Sequence, residues 1–220
     1  MKYLRKFNEA VILPDKSVSN AQLRTFDDVV DYGLDNDFFV VGYDEFYNSL
    51  SEADKKTAPP KHGIPFFALF HPERKKPMFV LCDKNAPRMI PNFREVIDDI
   101  IGHEKVHGEQ IRRRNPDIDY ILPDPMDRAE YFSNKEEIMA FSYTIANGLS
   151  KECNNIKAAF NKLEGKDEAP RRGFFRGPVQ KAEYARIWDD INHFCEDKVI
   201  NRYKKYIYQY LEKMFDKGEK

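Results

Sequence analysis

Residues 93 to 113 read FREVIDDIIGHEKVHGEQIRR, and the spacing within them decides most of the fold. Phe93, Val96, Ile97, Ile100 and Ile101 recur at the i, i+3, i+4 and i+7 positions of one helix face. Asn92 is a capping residue, and Asn115-Pro116 ends the segment because a residue before proline is pushed out of the helical region. The spacing therefore predicts a helix from 92 to about 113. His103 and His107 stand one turn apart on it, so both imidazoles can turn to one metal ion, and Glu104 lies beside them to take a proton from a water held there. Random placement of the five histidines would give this spacing in on the order of one chain in a hundred of this composition, so the pattern is specific. Ile97 and Ile100 lead into His103, His107 and Ile111, which predicts that the histidines lie on the inward stripe. Buried imidazoles and a carboxylate need partners. The bland alternative is two core histidines bonded to backbone carbonyls, with Glu104 paired to Arg112 or Lys105. Glu109 and Gln110 turn away from the metal side. Arg112, Arg113 and Arg114 complement the dipole at the helix end.

A catalytic zinc takes three protein ligands and keeps one position for water. Candidates for the third are His193, the carboxylates between residues 117 and 127, Glu136 and Glu137. Glu137 fits best. It belongs to a second predicted helix, capped by Ser133 or Asn134, where small Ala140 allows close approach and Ile138 and Phe141 pack around it. Glu136 replaces it if that helix is turned by one residue, and both acids also read as a first-turn pair complementing the dipole. Tyr131, Tyr143 and His193 are candidates for stabilising an oxyanion, with Tyr131 preferred for its place just ahead of the Glu137 helix. Each also reads as a packing aromatic or a surface imidazole.

His103-Glu104-x-x-His107, followed thirty residues later by Glu137-Ile138-Met139-Ala140-Phe141, resembles the gluzincin branch of the zincin metallopeptidases. There a glutamate on a later helix completes the site. Tyr131-Phe132-Ser133 leading into that stretch resembles small zincin-like proteins of bacteriophages, whose function is mostly unassigned. The resemblance spans residues 64 to 145. This chain departs from it in having no NExxSD motif and no third histidine of the HExxHxxGxxH kind. It implies a zincin-like α+β fold, mostly helical, with a small antiparallel sheet before the active-site helix; the helical pattern of Val179 to Phe215, outside the resemblance, adds a helical C-terminal extension. It also implies zinc as cofactor, a peptide or protein substrate, and Glu104 as general base with Tyr131 assisting. The metal ligands it implies are His103, His107 and Glu137. In such folds an edge strand lines the substrate cleft, a part that falls here to Met78–Cys82 or Ile64–Phe70.

Outward from the helix, Phe38 to Tyr43 reads as a buried strand, and Ile64–Phe70 with Pro77–Cys82 as a hairpin around the charged residues 71 to 76. Pro65 places the first hairpin strand at an edge or a strand start. Ser19 is a cap for a predicted helix over residues 20 to 33, and Gly148 ends or kinks the Glu137 helix. Residues 164 to 178 mix charge, Pro and Gly and read as a flexible loop. The expected division is a metal-binding domain over 1–163, that loop, and a helical extension over 179–220 packing on the same domain.

The 220 residues carry 36 Lys and Arg against 37 Asp and Glu, for a net charge of -1, so no global basic field draws the chain to nucleic acid or an anionic membrane. Arg171, Arg172 and Arg176 with Phe174 and Phe175 form a local patch, read as a charged loop with two aromatic anchors ahead of a nucleic-acid contact. The short run Ala10–Leu13, broken by Pro14, lacks the apolar region of a secretory signal, and the expected setting is the cytoplasm, or a virion if phage-encoded. Cys82, Cys153 and Cys195 lack metal-ligand spacing and read as buried apolar residues. The leading expectation is a zinc-dependent hydrolase; the competing one is a binding or assembly protein that keeps the fold without catalysis.

Overall fold

The computed structural model describes residues 22–56, 58–59, 61–71, 73–114, 127–166 and 183–216. The chain divides into two compact units, residues 1–120 and 121–220. The proposed loop lies almost wholly outside the described residues, as do Ser19, the carboxylates from 117 to 126, and the Arg171–Arg176 patch.

The first unit is α/β in content. Its helices are α1 (Phe26–Asp35), α2 (Tyr43–Ser49), α3 (Ala86–Met89) and α4 (Phe93–Arg114), and its strands are β1 (Phe39–Gly42), β2 (Phe66–His71) and β3 (Lys76–Leu81). The hairpin forms as expected, β2 pairing antiparallel with β3 from Phe66 opposite Leu81 to His71 opposite Lys76. β1 runs parallel to β3, with Phe39 opposite Met78 and Gly42 opposite Leu81. The sheet, of order β1-β3-β2, is therefore mixed where a purely antiparallel one was expected. A short strand shows its burial in its composition, but its partner and direction are set by pairing across the chain.

Central β3 is covered on both faces, which explains its unbroken apolar run. Phe79 and Leu81 join Val29, Tyr32, Phe93, Ile97 and Ile101 in one core, while Met78 and Val80 join Tyr43 and Phe46 in another. Alternation along β2 follows suit: Phe66 and Ala68 pack on the first core, Phe67 and Leu69 on the second. α4 lies against β2 and β3. Phe93, Ile97 and Ile101 are its sheet-side residues, and Gly108 continues that line against the ring of Phe70. His103 and His107 sit roughly 80–120° round the helix from Ile97. They are buried, but on a face adjoining the sheet-side stripe, so the single inward stripe expected from sequence is two neighbouring faces.

The second unit is helical: α5 (Arg128–Ser133), α6 (Lys135–Glu152), α7 (Ile156–Leu163), α8 (Glu183–Phe194) and α9 (Asp197–Asp216). Its centre is α6, which packs mainly on α9 and also meets α5, α7 and α8. Asn134 is the cap, its side chain accepting from the Glu136 N–H. Gly148 does not end α6, which runs on to Glu152; it gives room to the ring of Tyr184. The described residues are mostly helical with one small mixed sheet, in keeping with an α+β fold. The three cysteines are half-buried, less enclosed than expected.

Candidate metal centre

α4 builds the first part of the site from consecutive turns. His103 is 9% exposed and His107 1%, and their Nε2 atoms stand 3.1 Å apart with the rings edge to face. Two nitrogens each bound at 2.0–2.1 Å to a tetrahedral ion lie about 3.3 Å from one another, so this pair has close to the spacing such an ion demands. On its far side His107 meets a third buried residue of the same helix, its Nδ1 lying 3.1 Å from the amide oxygen of Gln110. Glu104, also buried, sits between the two histidines in sequence. The ion-pair partners that the bland reading offered Glu104 are engaged elsewhere: Lys105 donates from Nζ to the Asn36 carbonyl, and Arg112 pairs with Glu109. Burial pulls the Lys105 ammonium below its ordinary value, partly offset by Asp37 and Asp98.

Comparison with protein-family models, curated proteins and solved structures finds no match for this chain.

The remaining candidates belong to the second unit. Of the two first-turn acids of α6, Glu137 is buried at 2% exposure, whereas Glu136 is half-buried. A first-turn pair that merely complemented the dipole would keep both carboxylates in water. Close to Glu137 lies Tyr203 of α9, fully buried, its hydroxyl donating to the Phe132 carbonyl at 2.8 Å. Burial above all, then Cys195 and the Glu137 charge, hold that phenol far above its ordinary value. Sequence reading passed over Tyr203; its signal was the α9 stripe Ile200, Tyr203, Ile207 and Leu211, which marks burial but no chemistry.

Tyr131 is half-buried on α5, its ring against Phe132 and Phe141. Tyr143 is buried edge-on to Tyr210. His193 is exposed in the last turn of α8, against Phe194. Asp127, at the end of the acidic loop, is committed to capping α5 through the Ala129 and Glu130 N–H groups.

His103 and His107 offer buried imidazole nitrogens in the first unit, and Glu137 a buried carboxylate in the second; each is a side-chain type that ligates metal ions. A separate cavity of about 1050 Å³ opens in the first unit where β1 and β3 end, lined among others by Gly42, Asp44, Lys61, Cys82 and Asp83. Neither histidine lines it.

Proposed function

We propose that this chain is a zinc-dependent hydrolase that cleaves peptide bonds, with His103, His107 and Glu137 as ligands and Glu104 as general base. The observation that carries this reading is the approach of two buried Nε2 atoms to 3.1 Å on one helix. Two imidazoles and a carboxylate are a catalytic rather than a closed structural ligand set, because they leave a position for water. Glu137 is preferred to Glu136 for its burial, which a carboxylate tolerates only with compensation.

Zinc held there would lower the pKa of its water toward about 7 and polarise the scissile carbonyl. Glu104 takes the water's proton and delivers it to the leaving amine. The Tyr131 hydroxyl donates to the oxygen on which charge develops. Of the two strands the resemblance offered for the cleft, β3 is paired on both sides and β2 is at the sheet edge, so an extended substrate pairs its backbone with β2.

Elemental analysis combined with Glu104→Gln tests this. The parent should hold one zinc per chain and cleave a quenched-fluorescence peptide library. The Gln variant should keep the zinc and lose on the order of 10²–10⁴ in rate. A Gln variant as active as the parent removes Glu104 from the mechanism; a zinc-loaded parent that cleaves nothing marks the ion as structural.

A further inference from the structure

We infer that Gln110 is a positioning residue: its amide oxygen fixes the proton of His107 on Nδ1 and thereby turns the Nε2 lone pair of that ring to the metal. This rests on the metal-site reading above, but it concerns a residue outside both the ligand set and the catalytic pair.

An imidazole ligates a metal through a nitrogen that carries no proton, so the proton must be held at the other nitrogen. The group facing His107 Nδ1 is the Gln110 Oε1, at 3.1 Å, and a carbonyl oxygen only accepts. The proton is therefore on Nδ1, and the nitrogen left with a lone pair is the Nε2 that stands 3.1 Å from its counterpart on His103. Both ends of the hydrogen bond are buried, His107 at 1% and Gln110 at 7% exposure, so bulk water competes poorly for either. Residues three apart on a helix are surface neighbours, so α4 supplies ligand and orienting group from one rigid element.

The test compares the full-length parent with Gln110→Met, which keeps length and apolar bulk but has no acceptor, and with Gln110→Glu, which keeps one. Ring-nitrogen chemical shifts of ¹⁵N-labelled histidines in the metal-free chain report which His107 nitrogen bears the proton. Zinc affinity is read by competition with a chromophoric chelator, and far-ultraviolet circular dichroism confirms that each variant is folded. The parent should show a protonated Nδ1. The Met variant should lose that preference and bind zinc more weakly, on the order of 10–100-fold, and the Glu variant should retain both properties. A parent proton on Nε2, or a folded Met variant with parental zinc affinity and tautomer, overturns the inference. Because the tautomer is read without metal, a parent that binds no zinc defeats the metal site while the shifts still decide the role of Gln110.

Discussion

Gly108 directly follows His107, and its reason for being glycine is steric rather than conformational. A Cβ built there would fall inside the van der Waals shell of the Phe70 ring, which lies between α4 and the sheet. Phe70 is itself buried at 6% exposure and has little room to swing away. Gly108→Ala gains up to about 1 kcal/mol in helix propensity, but overpacking of this kind costs about 1–3 kcal/mol. We expect a net loss of up to about 2 kcal/mol in urea unfolding, with unchanged m-value. Adding Phe70→Leu should make the double variant more stable than the sum of the two single losses predicts. Strict additivity would show that the two side chains do not share the space. His103, Glu104 and His107 declare themselves because their types are rare and their spacing is tied to chemistry. Gln110 does not, because glutamine three residues on is unremarkable until its amide oxygen is seen 3.1 Å from Nδ1.

Among the elements, those with strong internal periodicity were legible and those defined by distant partners were not. α4 was visible from its apolar spacing almost to the residue, and α6 from its cap and its buried run. The hairpin was visible from two apolar runs around a charged turn. The parallel pairing of β1 with β3 was hidden, since a four-residue strand cannot encode its partner, and the two adjoining faces of α4 were read as one. The start of α1 shows how local chemistry decides an end that periodicity leaves open. Thr25 accepts from the Asp28 N–H, and the Asp28 carboxylate accepts in return from the Thr25 N–H at 2.8 Å and the Arg24 N–H at 2.9 Å. These bonds, the Arg24 one foremost, hold the Asp28 carboxyl below its ordinary value. Thr25→Ala should cost about 1 kcal/mol in chemical denaturation, by leaving the Asp28 N–H without its cap. An unchanged midpoint would show that α1 is held by its Val29 and Tyr32 packing alone.

At the scale of the whole molecule, stability at high pH depends on tyrosines that must stay protonated. Tyr32 is 8% exposed; its hydroxyl donates to Asp98 Oδ1 at 2.5 Å, and Arg94 lies over the ring and donates to the phenol oxygen. Burial first and the Asp98 hydrogen bond second push its pKa up to about 12, with Arg94 opposing. The phenol of an unfolded chain titrates near 10. A folded pKa raised above the unfolded one means that the deprotonated form favours unfolding. The contribution is therefore complete below pH about 10 and is lost as pH rises through about 12. A displacement of this size corresponds to about 2–3 kcal/mol over that window. Tyr43, Tyr184, whose hydroxyl donates to Glu152, and Tyr203 are raised as well, so the alkaline loss of the parent is shared among several phenols. Tyr32→Phe should thus lower stability near pH 8, where the hydrogen bond is intact, and flatten the decline between pH 10 and 12 without abolishing it. Urea midpoints of parent and variant at pH 8, 10 and 11 measure both effects. Parallel curves at all three would mean that Tyr32 titrates alike in the folded and unfolded chains, and that α1 and α4 are joined by apolar packing rather than by the Tyr32–Asp98 bond.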